Sequence, residues 1–252
     1  MRCRLLLVLG GAALAAGAVV PGTAAAKTWT AWAGSPGKAP AGTPKDAEVN
    51  QFFPATMRIR AGDSVRLRNN EFHTATFLPK GLKPAPPFIA DPQHGTYDGI
   101  NDSTGSALYF NGLPKFIYNP GTFGPAGSKT VGDGRIHSSG VFGKAAGGTT
   151  SVTFKFPKQG TFTVICLIHP GMRGRIVVGS RKARVPSIAD EQAAIAREGT
   201  RAYANATKAS KLKPPAGTVY AGIGDKATIL GFLPKTLTVK AGQSVDFVER
   251  SS

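Results

Sequence analysis

Three side chains that bind soft metal ions lie close together in the chain, in the spacing Cys166-x2-His169-x2-Met172. A thiolate, an imidazole and a thioether suit copper, and two histidines, one cysteine and a weak axial methionine form the ligand set of a blue-copper site. β-prone runs at 161–165 and 173–178 flank this loop and fix its ends. A short loop held in this way can direct all three side chains to one point, but the second imidazole must come from elsewhere.

His73 is the candidate for the second imidazole. Val65 and Leu67 alternate with polar residues, as in a half-buried strand. Asn69-Asn70 is a turn signal, and His73 then opens a second alternating run over 74–77. This pattern predicts a pair of strands with His73 at the end of their connection.

Each candidate ligand also has a purely structural interpretation. Taken alone, His73 could be a strand-end histidine with a local hydrogen bond, and Cys166 a small buried apolar residue. Zinc binds cysteine and histidine too, but the methionine and only three stronger donors favour copper. His94 and His137 are candidates for additional ligands, with surface or hydrogen-bonded histidines as the alternative.

Together these residues resemble the cupredoxin family, which includes plastocyanin, amicyanin and pseudoazurin. The ligand types occur in the family's order, and Pro170 after the histidine makes the loop similar to the short amicyanin-type loop. The resemblance covers roughly residues 29–178. It implies an all-β fold, a cupredoxin-like Greek-key β-sandwich with one copper ion near one end. The implied metal ligands are His73, Cys166, His169 and, at a longer axial distance, Met172.

Two positions bear on how the implied site is tuned. Many family members carry asparagine directly after the first histidine, whereas this chain has Thr74. Pro170 has no N–H and cannot donate a hydrogen bond towards the Cys166 sulfur, and such bonds tune a metal site. By the same resemblance, the electron is expected to leave through the exposed edge of His169, within the apolar surroundings of Leu167, Pro170 and Gly171.

The beginning of the chain predicts export. A short cationic segment, an apolar run over 5–20 and the small residues Ala24-Ala25-Ala26 are typical of a secretory signal peptide, assigned to residues 1–26. No later stretch reaches the ~18 apolar residues that a membrane span needs. The expected location is the periplasm, the cell envelope or the extracellular space. Removal of Cys3 with the peptide would leave Cys166 without a disulfide partner.

The chain is strongly basic, with a formal net charge of +17. No basic-aromatic module accompanies the scattered lysines and arginines, so nucleic acid is not expected as a partner. The charge favours a redox partner protein with an acidic surface and leaves open contact with an anionic cell envelope. The alternative is simply a basic, solvated surface.

The metal-binding region is assigned to residues 27–180. Residues 53–60 read as one strand with Phe53, Met57 and Ile59 inward, and 151–156 as another. Between them lies a long loop insertion at about 80–148, rich in glycine, proline and polar residues. Loops of this length are usually functional or disordered, so the insertion is expected to cover the copper surface or to form a partner site.

Residues 181–215 are assigned as a linker with a helix. Ser187 to Asp190 forms a capping-box start, and 191–206 is alanine-rich and weakened at Gly199. Because its apolar residues are mostly alanine, the helix is expected to bury little area and to act as a connector. A partner-binding helix is the alternative.

The last segment repeats an earlier one. Residues 233–245 echo 53–65 at an offset of 180, which indicates a tandem duplication. Residues 216–252 are therefore assigned as the N-terminal part of a second cupredoxin-like repeat, a partial β-domain whose equivalent of His73 would fall one position past Ser252. We expect this truncated copy not to close a sandwich alone. It would pair with the first domain or remain partly disordered.

Three functions of different classes fit these observations. The first is an exported mononuclear type 1 copper protein that carries single electrons through Cu(II)/Cu(I) and is not an enzyme. The second is copper binding for storage, delivery or resistance, and the third is a structural β-sandwich. A multicopper oxidase is not expected because the chain has no His-x-His pairs, and a binuclear purple-copper site would need two bridging cysteines.

Overall fold

A computed structural model describes residues 25–99, 101, 104–106 and 111–251. The predicted signal peptide therefore falls almost wholly outside the described residues. Within the described part of the chain, no helix is both long enough and apolar enough to cross a membrane.

Strands dominate the described residues. In chain order the elements are β1 (Thr28–Ala33), β2 (Ala47–Val49), β3 (Phe52–Phe53), β4 (Thr56–Arg60), β5 (Ser64–Arg68), β6 (His73–Phe77), β7 (Phe88–Ala90), β8 (Phe116–Tyr118), α1 (Pro120–Phe123), β9 (His137–Phe142), β10 (Ser151–Lys155), β11 (Gly160–Ile165), β12 (Arg173–Gly179), α2 (Ile188–Ala209), β13 (Thr218–Gly224), β14 (Ala227–Leu233) and β15 (Asp246–Ser251).

Two sheets form a β-sandwich, which confirms the predicted fold class. Their strand orders are β10-β5-β1-β3 and β4-β12-β11-β6-β9. Each sheet contains one parallel pair, β1 with β5 and β4 with β12, among antiparallel neighbours. Alternate residues of the strands point between the sheets and form one apolar cluster, which includes Trp29, Leu67, Phe154 and Ile176.

The predicted strand over 53–60 is wrong as a single element, because the chain changes sheets at Pro54. Phe53 ends β3 in the first sheet, whereas Met57 and Ile59 belong to β4 in the second. Proline has no N–H to donate to a ladder, so strands tend to end there. Phe53 is therefore not inward in the same core as Met57; it packs in a separate apolar cluster next to α2.

The interval 80–148 is only partly a loop. Its last part contains β9, which pairs with β6 and forms an edge of the ligand-bearing sheet. The two-stranded ribbon β7–β8 and α1 contact the sandwich through rings: Phe123 lies 6.1 Å from Phe72 and 4.6 Å from Tyr118, centroid to centroid. The apolar fragment at 107–110 lies outside the described residues.

Helix α2 starts as predicted, since Ser187 and Asp190 form the capping box. The expectation that it buries little area is wrong. Ile195 and Tyr203 are buried in a cluster with Val49, Phe53 and Ile229, together with the helix alanines 202 and 206. Small residues let the helix pack closely against the segment that contains Pro36, because a Cβ on Gly199 would come within 2.6 Å of the Pro36 ring.

The C-terminal sheet has the order β15-β13-β14-β2, so it takes a strand from the metal-binding region. One face covers α2, and the other leaves Phe232 and Phe247 exposed, with ring centroids 6.1 Å apart. Strands β13 and β15 pair in parallel, Thr218 with Asp246, as β1 and β5 do in the sandwich. The duplication and the domain boundaries at 180 and 215 stay predictions.

Candidate metal centre

The sandwich brings His73 and the Cys166 loop together at one end. His73 begins β6, which lies between β11 and β9, and it is fully buried. Cys166 directly follows β11, and the loop ends where β12 starts. Within the loop the Cys166 amide donates to the Met172 carbonyl at 3.0 Å, and the Met172 amide donates to the His169 carbonyl at 3.2 Å. These bonds make the loop a compact turn that points inward.

Three of the four predicted ligands face one another. Nδ1 of His73 and Nδ1 of His169 are 3.0 Å apart, and the Cys166 sulfur lies 4.0 Å and 3.6 Å from them, respectively. The point equidistant from the three atoms is about 2.1 Å from each, a distance at which nitrogen and sulfur bind a first-row metal ion. The three donor atoms therefore surround one position, and the residues present fit a copper ion.

Met172, the fourth predicted ligand, is buried in the same apolar cluster as Cys166. It also lines a cleft of about 390 Å³ between the loop and Pro84–Pro87 of the insertion. The insertion thus covers part of the loop surface and leaves an opening beside the sulfur-bearing residues. Axial ligation by Met172 stays a prediction.

The two histidines of the insertion interval lie outside this group. His94 is largely exposed and bonds to the Asp91 carboxylate. His137 is buried on β9, where its Nε2 is 2.6 Å from Asp133. Each has a carboxylate partner three or four residues earlier in the chain, which agrees with the alternative that they are surface or hydrogen-bonded histidines.

Thr74, directly after His73, contacts the cysteine. Its amide donates to the Cys166 sulfur at 3.4 Å, and its hydroxyl lies 3.8 Å from the same atom. That hydroxyl also accepts a hydrogen bond from the Leu167 amide at 2.7 Å. A threonine can therefore tie the two ligand-bearing segments together, and the sulfur receives a backbone hydrogen bond from β6 despite the proline in the loop.

Burial and mutual contact shift the pKa values of two ligands in opposite directions. Burial alone would lower the pKa of His73, but hydrogen bonds with Cys166 and Glu71 outweigh it and raise this pKa to about 9. Burial alone would raise the pKa of Cys166, but hydrogen bonds with His169 and His73 hold it well below its ordinary value. Without metal, both shifts favour a thiolate beside an imidazolium.

The metal-free protein is expected to lose stability in acid because of this pair. The contribution of His73 fades as pH rises from about 6.5 through about 9, while that of Cys166 grows over the same window, so the two cancel. Below about pH 6.5 the contribution of His73 is constant, and that of Cys166 is lost as pH falls towards the lowered pKa of its thiol. One proton sets the upper limit of this slope, about 1.4 kcal/mol per pH unit.

Urea unfolding of the metal-free protein and of Cys166→Ala, from about pH 4 to pH 8, measures this contribution. The variant should show a shallower loss in acid. Parallel curves for the two proteins would contradict a buried thiolate.

Two acidic residues that sequence analysis missed lie behind the histidines. Glu71 Oε2 is 3.1 Å from His73 Nε2, and Glu48 Oε2 is 4.0 Å from His169 Nε2. Burial would raise the pKa of Glu71, but its hydrogen bonds with His73 and Ser35 outweigh burial and lower it. Burial raises the pKa of Glu48. Glu71 could have been found from its position two residues before His73; nothing local marks Glu48.

No family model matches the chain, and no curated protein matches it. Solved structures do. A purple cupredoxin from Nitrosopumilus maritimus is 12% identical and covers 60% of this chain and 99% of its own, with a TM-score of 0.28. Auracyanin A, a blue copper protein from Chloroflexus aurantiacus, is 17% identical; the match covers 60% of this chain and 98% of auracyanin A, with a TM-score of 0.29. A reduced amicyanin variant is 15% identical; the match covers 61% of this chain and 82% of the amicyanin, with a TM-score of 0.23.

Two sheets, each with one parallel pair, form the predicted β-sandwich, and the loop that contains Cys166 joins β11 and β12. The fold is cupredoxin-like. This assignment concerns the sandwich alone. Helix α2 and the C-terminal sheet pack beside the cupredoxin-like sandwich, and that sheet includes β2 from the sequence region assigned to metal binding.

Proposed function

We propose that this chain is an exported, mononuclear type 1 copper protein that carries single electrons and catalyses no substrate reaction. The observation that supports the proposal most directly is the triangle of His73 Nδ1, His169 Nδ1 and Cys166 Sγ around one position. Met172 next to this group would complete the soft donor set that copper prefers. Bound copper would supply one-electron chemistry by changing between Cu(II) and Cu(I).

The protein's own residues would hold the donor atoms in place. His73 and Cys166 are buried and Thr74 bonds to the Cys166 sulfur, which would restrict movement of these donors between oxidation states. A rigid site limits the rearrangement that accompanies each electron transfer. His169 is the least buried of the three, with 19% of its side chain exposed, and it offers the shortest way to the surface. Glu48, not only apolar residues, borders that edge.

The signal-like N-terminus and the net charge complete the proposal. Export would place the protein in the periplasm, the cell envelope or the extracellular space. The charge of +17 would favour a redox partner with an acidic surface, since opposite charges speed encounter.

Copper storage or delivery is the second candidate. The cleft of about 390 Å³ beside Cys166 and Met172 opens the loop side of the centre, which would suit transfer of the metal itself. This function would use the same ligands, with rapid exchange of the ion.

Titration of the full chain with Cu(II), followed by visible absorption, tests both candidates. We expect an intense blue thiolate-to-copper band that saturates at one equivalent and is absent in Cys166→Ala. His94→Ala is the matched control, because His94 is largely exposed and lies outside the donor group, and it should keep the band. A colourless protein that retains copper would favour storage or delivery, and absence of binding would leave a structural sandwich.

A further inference from the structure

Glu71 meets His73 on the ring edge that faces away from the other donors. The Nδ1 edge of His73 points to His169 and Cys166, while Nε2 lies 3.1 Å from Glu71 Oε2. The ring is completely buried and the Glu71 side chain is 20% exposed. A carboxylate only accepts hydrogen bonds, so the proton of the pair belongs on Nε2 when Nδ1 carries a metal ion.

Besides His73, two hydrogen bonds from Ser35 hold the Glu71 carboxylate, and a third bond fixes the Glu71 backbone. The Ser35 amide donates to Oε2 at 2.9 Å, and the Ser35 hydroxyl donates to Oε1. The Glu71 amide donates to Oδ1 of the buried Asn69 at 2.7 Å. Gly34 leaves the space for this arrangement, because a Cβ there would lie 2.0 Å from Glu71 Oε2. The carboxylate is thus built into the structure and is not a mobile surface group.

His169 lacks such a brace. Its Nε2 lies 4.0 Å from Glu48 Oε2, beyond hydrogen-bond distance. The two imidazoles therefore differ: one is buried and hydrogen-bonded to a fixed carboxylate, and the other is partly exposed beside a second carboxylate. Of the two acidic residues, only Glu71 has the geometry to orient a ligand.

We propose that Glu71 is the positioning residue of the metal centre. It fixes the orientation and tautomer of His73, and its negative charge makes the site favour the metal ion of higher charge. By holding the proton on Nε2, it keeps Nδ1 free to bind. Its negative charge acts through the imidazole and stabilises Cu(II) more than Cu(I), because the interaction grows with the charge of the ion. This second effect rests on the proposed copper function; the tautomer does not.

The test is Glu71→Gln in the full chain, with Glu48→Gln as the matched control for loss of one carboxylate near the centre. Loss of a partner that orients a metal-bound histidine typically costs about 10–100-fold in metal affinity. We expect Glu71→Gln to weaken Cu(II) binding in this range, to change Cu(I) binding less, and so to raise the reduction potential. Glu48→Gln should weaken Cu(II) binding by less than about threefold.

A readout that does not depend on copper completes the test. With Zn(II) as a diamagnetic probe, proton–nitrogen NMR should show a protected His73 Nε2–H signal in the wild type and in Glu48→Gln. The signal should exchange rapidly or vanish in Glu71→Gln. Ser35→Ala, which removes a support of the carboxylate but not its charge, should give an intermediate result if Glu71→Gln fails to fold.

Unchanged Cu(II) affinity and an unchanged Nε2–H signal in Glu71→Gln, or an equal effect of Glu48→Gln, would overturn the proposal. If the wild type lacks the thiolate-to-copper band, the electron-carrier function fails. The zinc measurement still decides whether Glu71 positions His73.

Discussion

Replacing Gly34 by alanine is expected to destabilise the protein by about 3–5 kcal/mol and to abolish tight Cu(II) binding. Gly34 has a φ of +80°, and a Cβ on it would lie 2.0 Å from Glu71 Oε2 and 2.6 Å from His73 Nε2. Both neighbours are held by hydrogen bonds and cannot yield without moving the metal-binding ring. Urea unfolding and Cu(II) titration measure the two effects.

Gly42→Ala separates this contact from backbone strain. Gly42 has a similar φ of +84°, but no atom would lie within 4 Å of its Cβ. Alanine should therefore cost only about 1–2 kcal/mol there and leave copper binding intact. Equal losses for the two variants would show that the space next to Glu71 is not what requires glycine.

Replacing Asp63 by alanine is expected to cost about 3 kcal/mol or more of folding free energy. Asp63 is 2% exposed. Its Oδ1 accepts from the Lys27 amide at 2.8 Å, and its Oδ2 accepts from the Trp29 indole at 2.8 Å and the Arg60 amide at 3.0 Å. Truncation leaves three donors without their acceptor where β1, β4 and β5 meet, and thermal or urea unfolding would report the loss.

Asp63→Asn and the exposed Asp98→Ala make the comparison specific. The asparagine keeps one acceptor oxygen and should cost less than the alanine. Loss of a surface carboxylate at position 98 should change stability by under about 0.5 kcal/mol. An Asp63→Ala protein as stable as Asp98→Ala would show that the three hydrogen bonds contribute little.

The metal loop was readable in the sequence because its chemistry is local. Cys166, His169 and Met172 lie in one turn between two strands, so residue types and spacing suffice. His73 required the resemblance as well, since alternation alone predicts a strand and not which other segment it meets. Glu71 lies beside His73 in the chain and could have been inferred from that position.

Features that depend on pairing between distant segments were not readable. Glu48, which lies 4.0 Å from His169, belongs to β2, and the pairing of β2 with β14 joins residues about 180 positions apart. The alanine-rich pattern of α2 hid the burial of Ile195 and Tyr203, because small residues improve packing without adding to an apolar pattern. The sheet change at Pro54 likewise follows from tertiary position, not from the alternation of Phe53, Met57 and Ile59.

Strand β2 has a consequence for how such a protein can be inherited. In sequence it lies inside the cupredoxin-like region, but its ladder partner in the described chain is β14 of the C-terminal sheet. A gene fusion or deletion that separated the two parts near residue 180 would strip β2 of that partner and create unpaired edges on both products. The sandwich and the C-terminal sheet thus look like two units, but they would have to be inherited together.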